Sequence, residues 1–404
     1  MASTASSAAI DAILGRGVDA GDVPGVVALA ASDAGIFYEG AFGRREAHRG
    51  PAMTLDTVFR IASMTKAVTS VAALQLVEQG RLALDAPIGG VLPELAAPFV
   101  LTGFDAAGKP RLRPARRPIT LRHLLTHTAG FGYEMLNSEL IRYYAATHTP
   151  SPGSGKLAGL RVPLLFDPGE RWQYGINLEW VGRAVEAASG QSLDRYFEDH
   201  IFAPLGMADT TFRLSSDQRR RLAAIHQRQA DGSLNPVELD VPPSNPEFWG
   251  GGGALYSTGP DYLRFLQMLL GGGALAGVRL LRPETVAELA RNQVGDLAAG
   301  IMRSVMPERT NDFALFPEGS SRWGLAAMIN TVPLPSGRSA GSLSWGGIFN
   351  SYYWVDPQSR VAAVFMAQLL PFADPRALAL SAAFERALYG ALGGAAAGPA
   401  QPGI

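Results

Sequence analysis

No cysteine occurs in the 404 residues, which excludes disulfides, thiolate metal sites and a cysteine nucleophile, and says little about compartment. Net charge is almost nil as well. With 35 Lys and Arg against 36 Asp and Glu the formal charge is −1, so no long-range attraction to nucleic acid or to an anionic membrane is expected. An uninterrupted apolar run of about eighteen residues is missing, and with it any expected membrane span. The first ten residues lack both a basic stretch and a strong apolar stretch, so the cytoplasm is the expected location. No H-E-x-x-H and no internal repeat is present, and Gly250 to Gly253 are followed by no Lys-Ser/Thr of a phosphate loop. Tight backbone packing is the better explanation for those glycines. No metal and no cofactor is expected.

What the chain does have is apolar content, 47% hydrophobic against 18% charged, enough for a sizeable core in two structural units or one composite domain. A short helix over 8–16 precedes two strands, 25–32 and 35–43, around a turn. Residues 82–120 read as loop and carry four arginines, Arg111, Arg113, Arg116 and Arg117, as a solvated group. A short helix over 120–127 places His123 and His127 four apart, but no third ligand accompanies them. Residues 147–163, rich in Pro and Gly, form a loop long enough to be a lid. Helices are expected over 172–186, 193–202 and 262–270, strands over 321–329, 339–345, 350–356 and 361–367, then a helix over 375–388 and a structureless tail from 393. Strands thus come from both ends of the chain. Residues 1–95 and 246–404 read as a discontinuous α/β sheet domain and 96–245 as a helical insertion.

The chemistry concentrates at Ser63-Met64-Thr65-Lys66, which opens a helix that stops at Gly80. Residues three apart share a helix face, so the Ser63 hydroxyl and the Lys66 amine come within hydrogen-bond reach. A lysine serves as base only in an apolar or cationic setting, and the apolar run after Lys66 fits such a site. Gly337-Arg338-Ser339-Ala340-Gly341 is a rival, matching the G-x-S-x-G of an elbow serine. That motif needs a following helix and a later histidine. A strand follows here, and the last histidine is His226, so Ser339 is expected to be structural.

Four segments occur together in one superfamily: Ser63-x-x-Lys66, the helix 120–130, Pro168-Gly169-Glu170-Arg171-Trp172-Gln173-Tyr174, and Trp345-Gly346-Gly347. From about residue 10 to 390 the chain resembles the serine β-lactamase and penicillin-binding-protein-like enzymes, and within them the family VIII carboxylesterases. The resemblance implies an α/β fold, with a central antiparallel sheet flanked by helices, a mostly helical domain, and the site in the cleft between. It implies that Ser63 is the nucleophile, Lys66 its base partner and Tyr174 the tyrosine of the Y-x-N motif, a phenol that an adjacent cation must activate. By analogy the oxyanion hole is the N–H of Ser63 and of Ile348. Trp345-Gly346-Gly347 stands where β-lactamases carry Lys-Thr-Gly, and Trp345 offers an aromatic wall to a neutral group, with Tyr133 and Phe131 lining the same pocket. Asparagine falls at position +3, as Asn177, and Glu179 sits where some relatives have an acid.

The function implied is hydrolysis of small to medium carboxylic esters through a Ser63 acyl-enzyme, with a small-molecule ester as partner. Three alternatives stand beside it: transfer of the same acyl group to an alcohol, peptidase or β-lactam hydrolysis, and a silent binding module. Nothing in the sequence sets an oligomeric state.

Overall fold

Val26, Ala28 and Ala30 point to one side of a strand while Val27, Leu29 and Ala31 point to the other, and both sets are fully buried. Such a strand must be covered on both faces, and it is. A computed structural model of the chain describes residues 4–239, 245–297, 299, 302–317 and 319–396. In it β1 (Gly25–Ser32) and β2 (Gly35–Gly43) join β3 (Ser321–Trp323), β4 (Met328–Asn330), β5 (Leu343–Gly347), β6 (Ser351–Asp356) and β7 (Val361–Met366). They form one antiparallel sheet in the order β3-β4-β5-β6-β7-β1-β2. Strands from both ends of the chain pair within it, where Val27 of β1 faces Met366 of β7.

Helices close each face. On one side α1 (Thr4–Asp19) packs against the C-terminal helix, Pro375–Ala396, and the pair covers Val26, Ala28, Trp354 and Phe365 with Ile10, Leu14, Phe384 and Leu388. On the other side lies the larger core, entered by α2 (Thr65–Glu78). Twelve consecutive residues of α2, Thr65 to Leu76, are buried, so this helix is surrounded rather than amphipathic. Further along come the short α3 (Leu121–Leu125), then α4 (Asn177–Ser189), which packs on α2, and α5 (Gly259–Leu270), which lies on β1 and β7. Thr258 caps α5 by accepting from the Asp261 N–H. Among the described residues no helix is long and apolar enough to cross a membrane.

Several elements depart from the expectations. The stretch read as loop before α3 contains a hairpin, Phe99–Phe104 with Pro110–Pro114. Its turn is made by Asp105, whose side chain accepts from the N–H of Ala107 and of Lys109. The run 321–329 is two paired strands and not one, because the chain turns at Gly324, whose N–H bonds to the Ala327 carbonyl. Inside the stretch assigned to the insertion, Ile225–Arg228 pairs in parallel with Leu369–Leu370 near the C-terminus. One apolar core runs from α2 and α4 to the inner face of the sheet. The last helix continues through Ala396, and the rest of the expected tail, residues 397–404, lies outside the described residues.

Candidate active site

Ser63 sits in a single tight turn, Ala62–Met64, that runs directly into α2. Ala62 just before it has φ +45°, a left-handed conformation that costs a residue with a β-carbon about 1–3 kcal/mol. Neighbours hold the turn in place. The Ile61 N–H donates to the Leu255 carbonyl, the Leu255 N–H to Thr65 Oγ1 at 3.2 Å, and the Tyr262 hydroxyl of α5 to the Met64 carbonyl at 2.9 Å.

One turn on, Lys66 is 1% exposed. Its Nζ lies 3.1 Å from Ser63 Oγ, 3.1 Å from the Tyr133 hydroxyl and 2.6 Å from the Gly252 carbonyl. These three contacts suit either charge state. An ammonium donates to all three; a neutral amine donates to Tyr133 and Gly252 and accepts from the serine O–H. Nζ also stands 4.8 Å from the centre of the Tyr174 ring and 5.3 Å from that of Tyr133.

Tyr174 is boxed by aromatic rings, His127 at 4.8 Å, Trp345 at 4.9 Å and Tyr133 at 5.2 Å between centres. Its hydroxyl accepts from Trp345 Nε1 at 3.2 Å. His127, fully buried at φ +57°, ties the segment after Tyr174 to this box: its Nδ1 is 2.9 Å from Asn177 Nδ2 and 3.4 Å from the Gly175 nitrogen. Burial, and then the charge of Lys66, hold the imidazole well below its usual pKa. Burial, then the charge of Glu179, pushes the Tyr133 phenol well above the usual value.

The third wall is the end of β5. A β-carbon at Gly347 would lie 2.5 Å from the Ile61 carbonyl oxygen, so only glycine lets this strand pass the Ser63 turn. Ile348 follows directly and lines, with Ser63, Met135, Leu136, Met302 and Phe372, a narrow apolar cleft that also takes in Tyr174 and Trp345. A wider cavity of about 350 Å³ adjoins it, sharing Met135 and Ile348, with Arg60, Met306 and Arg309 on its walls and Gly153 of the expected lid loop at its edge.

Ser63, Lys66, Tyr174, Trp345, Gly346, Ile348 and Tyr133 are therefore brought together, but two placements differ from expectation. Phe131 does not line the cleft: its ring stacks on Trp180, 6.2 Å away, and faces a separate cavity beside the Phe99 hairpin. Gly130, at φ +105°, breaks the extended backbone just before Phe131, and Trp180 of α4 supplies the surface its ring packs on. Tyr133 is not on the cleft wall either: it packs beside the Tyr174 ring and its hydroxyl accepts from Lys66. Neither that bond nor the buried Glu179 carries a spacing signal in the sequence; both depend on loops that meet only in the fold.

Other candidates lie elsewhere. His123 closes the capping box of α3 through Thr120, so the two histidines face different partners. Among the described residues no group of three or more His, Asp or Glu is placed to hold a metal. Arg113 pairs bidentately with the buried Asp167, while Arg111, Arg116 and Arg117 are exposed. Ser339 is in the loop before β5, its N–H on Asp356 and its hydroxyl on Ser359, with a strand and no helix following.

A family model described as Beta-lactamase matches residues 10–388. Monacolin J acid methylbutanoyltransferase of Aspergillus terreus is 35% identical over 389 residues, 93% of each chain. Lovastatin esterase of Penicillium rubens is 31% identical over 94% of this chain and 98% of its own. Among solved structures, unliganded simvastatin synthase from Aspergillus terreus superposes with a TM-score of 0.82 at 33% identity, covering 95% of this chain and 98% of that one.

Proposed function

The chain belongs to the beta-lactamase family and has its fold, and on that premise we propose that it is a serine acyltransferase that moves an acyl group through Ser63 to an alcohol. The observation that carries the reading is the 3.1 Å contact between Lys66 Nζ and Ser63 Oγ at the foot of an apolar cleft. Ser63 Oγ attacks the carbonyl carbon of a donor ester or thioester while its proton passes to the Lys66–tyrosine group. The oxyanion is met by the N–H of Ser63 and of Ile348. Collapse of the adduct breaks the bond to the leaving group, which takes the proton and departs. An alcohol then attacks the acyl-serine, gives its proton to the same group, and Ser63 is regenerated as the new ester leaves.

Transfer is preferred to hydrolysis for two reasons. The relatives with transferase names reach 35% and 34% identity against 31% for the esterase, and the wider cavity adjoining the cleft offers an alcohol a place that water does not need. Ester hydrolysis is the second reading, favoured by the likeness to lovastatin esterase, and is the same acyl-enzyme with water as acceptor. β-Lactam hydrolysis is less well supported, since Trp345 offers no cation to a carboxylate and uses its N–H on Tyr174.

An acyl thioester supplied with a secondary alcohol, followed by mass spectrometry, separates the readings. New ester in excess of free acid at high acceptor concentration is expected. Free acid alone, whatever the acceptor concentration, leaves hydrolysis.

A further inference from the structure

Glu179, on the first turn of α4, is 7% exposed, and its Oε2 has no hydrogen-bond partner among the described residues. Its carboxyl lies flat against Gly252: a β-carbon there would fall 1.8 Å from Oε2. The carbonyl of that same glycine accepts from Lys66 at 2.6 Å. A buried carboxylate and a buried amine thus both rest on one residue, Gly252. Among the described residues, the groups within hydrogen-bond reach of Lys66 are neutral (Ser63, Tyr133 and the Gly252 carbonyl), so none of these three balances the charge it gains on taking the serine proton. A buried charge without compensation is costly.

We propose that Glu179 is a positioning residue for acyl transfer, whose carboxylate, seated on Gly252, compensates the ammonium that forms on Lys66 as Ser63 loses its proton. The inference rests on the acyl-enzyme reading and deepens it. Facing the carboxylate are Lys66 from α2 and Tyr133 from the loop after α3; Tyr174 and Glu134 act on the same tyrosine. Burial pushes the Glu179 carboxyl up to about 7, against the pull of Lys66. It is therefore neutral in mild acid and ionised in mild base, and only the ionised form can compensate. A brace for the start of α4 would also gain from the negative charge, through the helix dipole, but that gain would appear in stability against pH and would leave the pH dependence of the Ser63 reaction unchanged.

The test is the rate at which a fluorophosphonate labels Ser63, measured between pH 5.5 and 9 on wild type, Glu179→Gln, Glu179→Asp and Ser63→Ala. Wild type should accelerate through neutral pH. Glu179→Gln keeps the shape and loses the charge; it should label about tenfold or more slowly at pH 8, the range of one charge-assisted contact, with the rise through neutral pH gone. A rate within twofold of wild type with the same inflection would overturn the proposal. Glu179→Asp is the second variant should glutamine prevent folding: one methylene short of Gly252, it should keep the inflection at a rate several-fold lower. Wild-type rates in Glu179→Asp would count equally against it. Label on Ser63→Ala, or none on wild type, would defeat the acyl-enzyme reading itself, an outcome distinct from either.

Discussion

Deleting the Ser63 hydroxyl should lower acyl transfer and ester hydrolysis by roughly three orders of magnitude or more in a folded protein, as when a covalent step is lost. Intact-protein mass spectrometry after a fluorophosphonate should find one label on wild type and on Ser339→Ala, and none on Ser63→Ala. Label that tracks Ser339 instead would reverse the assignment. Trp345→Phe probes another single contact, the Nε1 donor on Tyr174. Losing one hydrogen bond of about 1.5 kcal/mol should lower kcat roughly tenfold with KM little changed; a KM effect alone would make Trp345 only a wall. His127 makes a pH prediction. Its imidazole stays neutral in the fold, while the unfolded chain binds a proton below about pH 6.5. Its contribution is thus complete at neutral pH and is lost as pH falls, by up to about 1.4 kcal/mol per pH unit. Asparagine tolerates positive φ and does not titrate, so the stability gap between wild type and His127→Asn should narrow from pH 7 to pH 5 in denaturant titrations. A constant gap would mean that His127 takes up its proton inside the fold.

Among the elements, β5 and the Ser63 turn are set against each other with no room to spare. Gly347→Ala would place a methyl group 2.5 Å from a backbone oxygen, and neither strand nor turn is the soft end of a side chain. Relief requires the backbone to move, carrying the Ile348 N–H with it. The cost should be about 1–3 kcal/mol of stability, seen as a lower Tm, and at least tenfold in kcat. If Tm falls while kcat holds, the Ile348 N–H is not part of the oxyanion hole. The Trp-Gly-Gly sequence is legible as a strand end, yet the reason for its second glycine is the Ile61 carbonyl, nearly three hundred residues earlier in the chain.

For the molecule as a whole, the decisive quantity is how the acyl-enzyme divides between an alcohol and water. The wider cavity adjoining the cleft is where an acceptor would wait, and Met306 is on its wall. Met306→Trp should reduce transfer several-fold more than it reduces hydrolysis of a small p-nitrophenyl ester, since water needs no cavity. Equal losses in both reactions would remove the cavity from the acceptor's path.

Much of this protein is readable without coordinates. Both strands of the first hairpin are legible because glycine brackets short runs of small, branched and aromatic residues, and the Ser63–Lys66 pair because helical spacing alone brings positions three apart together. The local periodicities of 2 and 3.6 are carried by neighbours in the chain. What neighbours cannot carry is the join between distant loops. The meeting of Tyr133, Glu179 and Gly252 around Lys66, the turning away of Phe131, and the tie from His127 to Asn177 all arise where segments separated by dozens to nearly two hundred residues close on one buried point. There, burial decides which groups touch and desolvation decides which of them hold a proton, and neither is a property of any stretch of sequence by itself.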